Sequence, residues 1–398
     1  MESDFEWQGG TAMDAVGVVC EFDPLHRGHE RLLRRAGESG RVLVCAMSGN
    51  FTQRGGAACV EKFARAEMAV RCGADLVVEL PTPWAMATAE KFADGGVSLL
   101  AQCGVKTLYF GSECGDTDAL WATAEALLRA DVHRAIRLEM GGGLPYAAAR
   151  QAVLERETGL GALLAQPNNT LAVEYLKAIR RRGLTAEAVT VRREDGGHHG
   201  TASASHIRAL LAAGQEAKAF ALMPPQAADI LGREMKKGLA PVDPARLERA
   251  MLARLRLMNE HDFASYDSGG EGLYRRVYRA VQEGGSLGDI LTRATTKRYP
   301  TARVRRMLWA VFLGLEAPGE DIPYVRILAA TEAGRRLLRQ MQDAGVPVLT
   351  KAADVGRLGP SAEALFTREA RRTDVYALAC PGSPLPCGSD WRRTPTMI

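Results

Sequence analysis

Apolar positions in the first half of the chain fall into short unbroken runs, separated by stretches with helical spacing. The run Ala15-Val16-Gly17-Val18-Val19-Cys20-Glu21-Phe22 lacks polar alternation and suits a strand buried on both faces. Further strands are predicted at 41–48, 76–80, 107–111 and 186–191. Between and after them, apolar residues recurring every three or four positions predict helices at 29–38, 61–72, 89–103, 118–129, 171–182 and 205–213. Strands alternating with helices of this length imply right-handed βαβ units on a parallel sheet. The predicted class is α/β with a Rossmann-like first half. Such sheets bind ligands beyond the carboxyl ends of the strands, where the strand order reverses.

From about Ala217 the strand signals vanish and helical spacing dominates, at 244–258, 272–284, 287–293, 302–315 and 331–344, with one short strand at 346–350. The organisation expected is therefore a dispensable, disordered leader at 1–13 with Met13 as the natural start, and a Rossmann-like domain at 14–215. A helix-rich domain at 216–379 and a flexible tail at 380–398, which carries four prolines, complete it.

The 398 residues are 46% hydrophobic and 25% charged, enough for a packed core. Disorder, collagen-like repeats and coiled coil are excluded as the main state. A net charge of +4 permits a polyanionic partner without demanding one. No apolar run approaches the roughly 20 residues of a membrane span, and the start lacks the basic-then-apolar order of a secretion signal. No two of the eight cysteines lie three apart, which disfavours a zinc ribbon or thioredoxin motif. A reduced, cytoplasmic protein is expected. Cys20 and Cys45 read as buried strand residues, and Trp84 and Trp309 as core or interface. No oligomeric state follows from the sequence.

Candidate chemistry begins where the first strand ends, at Glu21-Phe22-Asp23-Pro24-Leu25-His26-Arg27-Gly28-His29. His26 falls just before a helix start and His29 on its first turn, so the two imidazoles share a side. Gly28 leaves the backbone open to a ligand. The helix start offers free N–H groups and a positive dipole end to phosphate, and imidazole donors suit charge developing on a phosphoryl group. Later, Ser203-Ala204-Ser205-His206-Ile207-Arg208 opens another helix. Ser205 is placed to cap it, with Ser203 and Arg208 reaching phosphate oxygens.

H-x-G-H directly after a first strand resembles the HIGH-motif nucleotidyltransferase (HUP) superfamily, which includes class I aminoacyl-tRNA synthetases. That superfamily pairs the motif with a later Ser/Thr-basic helix start. Longer strings are similar to the bacterial tRNA(Met) cytidine acetate ligase family. They are Met47-Ser48-Gly49-Asn50-Phe51-Thr52-Gln53-Arg54-Gly55, Lys62-Phe63-Ala64-Arg65-Ala66-Glu67-Met68-Ala69, Gly73-Ala74-Asp75-Leu76-Val77-Val78-Glu79-Leu80-Pro81 and Phe110-Gly111-Ser112-Glu113. Pro167-Asn168-Asn169, Lys297-Arg298-Tyr299 and Tyr324-Val325-Arg326-Ile327-Leu328 extend the likeness over about residues 16–351.

The resemblance implies that ATP activates acetate as acetyl-adenylate with release of pyrophosphate. The wobble cytidine of elongator tRNA(Met) then accepts the acetyl group to give N4-acetylcytidine, with Mg2+ as the expected companion of ATP. It also implies a nucleotide-binding segment over Val16, Gly17, Val18, Val19, Cys20, Glu21, Phe22, Asp23, Pro24, Leu25, His26, Arg27, Gly28 and His29. Gly111, Asn168 and Arg193 join it, Arg193 being placed by its spacing to His199 and Arg192 remaining open. His26, His29, Ser203, Ser205 and Arg208 are the implied catalytic set. The chain has Asp23 where the family has an amide, either a magnesium ligand or the same turn hydrogen bond. Glu21, Glu79 and Glu113 stand at strand ends as magnesium, cytidine-orienting or helix-capping carboxylates. Gln53, Arg54 and Lys62 fall on the expected acetate and cytidine side. Lys297, Arg298, Tyr299, Arg303 and Arg306 lie in an acid-free basic stretch suited to RNA phosphates and base stacking. Arg180-Arg181-Arg182 is a second basic cluster, at a helix end that favours cations in any case. A small-molecule adenylyltransferase and a tRNA-binding protein with a vestigial nucleotide site are the competing readings.

Overall fold

The computed structural model describes residues 14–193, 203–267, 272–382 and 386–398. The expected leader and the His199 landmark lie outside the described residues. Ten strands follow in chain order among them: β1 (Ala15–Cys20), β2 (Val42–Ser48), β3 (Phe51–Thr52), β4 (Gly56–Ala57), β5 (Leu76–Leu80), β6 (Val105–Ser112), β7 (Glu187–Arg192), β8 (Val325–Ala330), β9 (Val348–Leu349) and β10 (Thr396–Met397). The main sheet runs β10-β8-β5-β2-β1-β6-β7, with β9 beside β8, while β3 and β4 form a separate hairpin. The stretch β5-β2-β1-β6-β7 is parallel throughout. The chain winds outward from β1 to β5, then returns to lay β6 against the free side of β1. Strand order therefore reverses between β1 and β6, where an open α/β sheet leaves a crevice at its carboxyl edge.

The two-residue strand period builds a core on each face. Val16, Val18, Leu43, Cys45 and Val77 pack with helices Arg27–Gly37 and Lys62–Arg71 on one side. Ala15, Val44, Ala46, Leu76 and Val78 pack with helices Ala89–Gln102 and Pro167–Arg181 on the other. Gly17 serves this packing. A Cβ there would stand 2.8 Å from a Val105 methyl and 2.9 Å from a Leu100 methyl, so its bareness lets the sheet and helix close rather than admitting a ligand. A third core joins helices Glu248–Arg256, Leu273–Glu283, Leu287–Ala294 and Thr301–Leu313 around Leu255, Val277, Ile290 and Val304.

Strand structure does not vanish after Ala217. The six residues of β8 are all buried and pair antiparallel with β5. Val325-Arg326-Ile327-Leu328-Ala329-Ala330 is short and unbroken, and periodicity alone does not separate such a run from a buried helical turn. The chain after residue 380 holds a helical turn, Ser389–Arg392, and β10, which pairs parallel with β8. Among the described residues no helix is long and apolar enough to cross a membrane.

Candidate active site

The carboxyl ends of β1 and β6 open into a cleft of about 460 Å³, lined on one flank by Gly111, Asn168 and Arg193 and on the other by Thr52, Gln53 and Arg54. His26, His29, Ser203, Ser205 and Arg208 also line it. Residues from four separate chain segments thus meet at the reversal point.

His26 is the N-cap of helix Arg27–Gly37. Its Nδ1 accepts the Gly28 N–H at 3.0 Å, and His29 Nδ1 accepts the His26 N–H at 3.3 Å. With each Nδ1 spent as an acceptor, each ring carries its proton on Nε2. The rings stack with centroids 3.7 Å apart, and Phe22 closes edge-on against His29 at 5.1 Å. Phe22 holds the left-handed conformation, φ 48°, a cost of roughly 1–2 kcal/mol for a side chain with a Cβ. Burial lowers the His26 pKa to about 4, with the Arg193 charge adding to it. Burial, then His26 and Arg193, hold His29 well below its ordinary value. Both imidazoles are therefore neutral donors at pH 7. Gly28 has a different task from the one expected: a Cβ there would lie 2.9 Å from the His26 ring. It leaves room for the capping imidazole.

On the β6 flank, a Cβ on Gly111 would touch the Arg193 stem at 3.4 Å, so this glycine seats Arg193. The Arg193 Nε is enclosed and has no hydrogen-bond partner, an orphaned donor of the kind that an anionic ligand satisfies. Arg192 also lines the cleft, with its stem over Gly115. Glu113 caps helix Pro167–Arg181, accepting from the Asn168 N–H at 3.2 Å, Asn168 Nδ2 at 2.7 Å and the Asn169 N–H at 2.8 Å. Asn169 Oδ1 returns the bond to the Glu113 N–H at 2.9 Å. Glu113 is thus the capping carboxylate of the alternatives, and it holds Asn168 at the cleft.

Ser203, not Ser205, caps helix Ala204–Ala212, accepting the His206 N–H at 3.3 Å; the two hydroxyls lie 3.1 Å apart. Arg208 turns back to Asp23, pairing with its Oδ2 at 3.1 Å and donating to its carbonyl. Asp23 Oδ1 accepts the Cys59 N–H at 2.6 Å. Asp23 therefore makes the turn bond, and Arg208 docks its helix onto the β1 loop.

Several expected nucleotide contacts lie elsewhere. Val16, Gly17, Val18, Pro24 and Leu25 are beneath the cleft rather than on it, and Arg27 donates to the Ala221 carbonyl outside it. Lys62 and Glu79 are buried together, bonded at 2.7 Å in a network with Asp390 and Arg326. Arg65 went unassigned, yet it is fully buried and organises the cleft floor. Its guanidinium donates to the carbonyls of Val60, Glu21, Ser48 and Gly49, tying the tips of β1 and β2. The readable sign was a lone charge inside the apolar run Phe63-Ala64-Arg65-Ala66.

The basic stretch begins beside the cleft. A Cβ on Gly55, φ 79°, would lie 2.8 Å from the Arg306 backbone nitrogen, so the loop after β3 rests on helix Thr301–Leu313. Tyr299 is buried, with the Arg298 and Arg303 guanidiniums over its ring at 5.7 and 5.4 Å. It anchors cations rather than offering a bare face for stacking. Arg303 also approaches Asp267 at 3.7 Å. Arg180 pairs with Glu125, Arg181 with Glu90 and Arg182 with Asp94, a structural use of that cluster.

A sequence profile of the HIGH Nucleotidyl Transferase family matches residues 13–385. The tRNA(Met) cytidine acetate ligase of Acetivibrio thermocellus is 32% identical over 92% of this chain and 95% of that protein. Its namesake in Caldanaerobacter subterraneus subsp. tengcongensis is 33% identical over 92% and 96%. The crystal structure of Thermotoga maritima TmcAL bound with alpha-thio ATP superposes with a TM-score of 0.90, at 28% identity, over 97% of this chain and all of that one.

Proposed function

The chain belongs to the HIGH nucleotidyltransferases and, within them, to the tRNA(Met) cytidine acetate ligases; on that premise we propose that it is an ATP-dependent ligase that acetylates the wobble cytidine of elongator tRNA(Met). An acetate oxygen attacks the α-phosphorus, the bond to the β-phosphate breaks, and pyrophosphate leaves with the electron pair. The cytidine amine then attacks the acetyl carbon of the adenylate, and AMP departs. No side chain need become covalently attached.

One observation carries the reading: two neutral Nε2–H donors and the orphaned Arg193 Nε share one cleft at the reversal point. A triphosphate supplies the acceptors those donors lack, and fixed donors cost no reorganisation as charge moves onto the leaving group. Helix starts at His26 and Ser203 add positive dipole ends. Gly111, through Arg193, and Asn168 hold the nucleoside side. Positioning of this kind is worth about 7–11 kcal/mol of barrier.

Magnesium fits as cargo of ATP rather than as a resident ion. The Asp23 and Glu113 oxygens are already engaged, and the described residues contain no cluster of three metal-ligating side chains. A triphosphate brings magnesium on its own oxygens, and no step here is routed through the ion. Lys297, Arg298, Arg303 and Arg306, with Tyr299 as their anchor, are the proposed tRNA contacts, adjoining the cleft through the Gly55 loop. The cytoplasm supplies these substrates.

Incubation with ATP, labelled acetate and tRNA(Met) should place label in the RNA. His29→Ala should cut acetate-dependent ATP–pyrophosphate exchange by roughly 10²-fold while leaving tRNA affinity within about threefold. Transfer of AMP to a small acceptor, or nucleotide binding without turnover, would overturn the assignment.

A further inference from the structure

We propose that Glu21 is the proton acceptor of the acyl-transfer half-reaction. This rests on the function proposed above. The exocyclic amine of cytidine is a weak nucleophile, since its lone pair is shared with the ring, and it must lose a proton as it becomes an amide. The nitrogen bonds to the acetyl carbon, the carbon–oxygen bond to the phosphate breaks, AMP leaves with that electron pair, and one N–H proton passes to the Glu21 carboxylate.

Placement argues for this residue. Strand β1 lies between β2 and β6, so Glu21 at its tip stands between the two flanks of the cleft. On the β6 side are Gly111, Asn168 and Arg193; on the β2 side is the Gln53–Gly55 loop that rests on the basic helix. The adenylate and the RNA base must meet between them. Glu21 and Asp23 are the acidic residues of the cleft lining among the described residues, and both Asp23 oxygens are engaged. Glu21 Oε1 accepts the Gln53 N–H at 2.6 Å and the Ser48 hydroxyl at 3.4 Å. No hydrogen bond engages its Oε2, which is also absent from the enclosed, partnerless atoms. One oxygen thus holds the carboxylate in place while the other is left for substrate.

The electrostatics agree. Burial raises the Glu21 pKa above the ordinary carboxylate value, the Gln53 N–H opposes it, Asp23 adds to the rise, and Arg65 and Arg54 oppose it. Cys20 on β1 and Tyr175 on helix Pro167–Arg181 are the other titratable groups facing it. A base gains strength as its pKa approaches working pH.

The test separates the two half-reactions in Glu21→Gln, which keeps an acceptor for the Gln53 N–H. Acetate-dependent ATP–pyrophosphate exchange should stay within about threefold of wild type. Single-turnover transfer from preformed adenylate to tRNA should fall about 10²-fold or more and lose its rise with pH, and Glu21→Asp should regain that rise. Equal loss of exchange and transfer would make Glu21 a nucleotide-binding group, and transfer within threefold of wild type would leave the proton to another acceptor; either overturns the proposal. If the variants do not fold, a wild-type transfer rate that is flat from about pH 5 to 8 also overturns it, because the His26 pKa of about 4 contributes little in that range. Failure of wild type to incorporate acetate would instead sink the underlying function.

Discussion

A histidine that caps a helix through its own Nδ1 is selected in its neutral form by that hydrogen bond, and burial then deepens the preference. His26 is 3% exposed and titrates at about 4 in the fold, against roughly 6.5 for a free imidazole. As pH falls, the unfolded chain takes up this proton first. Stability from His26 is therefore complete above about pH 6.5 and is lost toward pH 4, on the order of 3 kcal/mol in all. His29 shifts in the same direction. Urea denaturation at pH 7 and pH 5 should show a larger acid loss in wild type than in His26→Asn, which keeps a capping acceptor; equal losses would refute the neutral-cap assignment. The H-x-G-H spacing made this pair legible, because its geometry is local to one helical turn. The task of Gly28 was not legible, since it depends on which way the His26 ring turns. Nor was that of Arg65, whose acceptors Glu21 and Ser48 lie 44 and 17 residues away along the chain.

Helix boundaries were legible where the cap lies in the adjoining sequence and were missed where it does not. The helix at Ala89 begins after Thr88, whose hydroxyl accepts the Lys91 N–H, and the predicted start agrees with it. Helix Pro167–Arg181 begins four residues before its predicted start at Leu171, and its N-cap, Gln166, makes no side-chain bond. Its cap is Glu113, more than fifty residues upstream at the end of β6. The first turn, and with it Asn168, is thus formed by a tertiary contact. Glu113→Ala should leave three donors unpaired and cost about 1–3 kcal/mol in urea denaturation. It should also raise KM for ATP several-fold, as Asn168 loses its anchor at the cleft. A stability loss with KM for ATP unchanged would detach Asn168 from nucleotide binding.

At the scale of the whole molecule, the parallel half of the sheet was readable from alternation of strands and helices, and the return of the chain to that sheet was not. Lys62 Nζ lies 2.7 Å from Asp390 Oδ2, a contact spanning 328 residues that no local pattern announces. The same oxygen meets Arg326 at 3.0 Å and the Thr373 hydroxyl at 3.1 Å, and Glu79 bonds Lys62 from β5. Burial raises the Asp390 pKa, but Lys62 and Arg326 outweigh it and leave a net lowering, so the group stays ionised. Helix Lys62–Arg71, β5, β8 and the end of the chain are thereby joined behind the cleft by charges that water does not reach. Removing one member of such a cluster leaves the others unpaired in a poorly solvating interior, at a cost of about 3–5 kcal/mol. Asp390→Ala should lose that much in urea denaturation and free β10 for proteolysis. Because Asp390 does not line the cleft, KM for ATP should stay within about twofold wherever the variant is still folded. A loss below about 1 kcal/mol would place Lys62 and Arg326 in contact with water and reduce the tail to an ornament on the edge of the sheet.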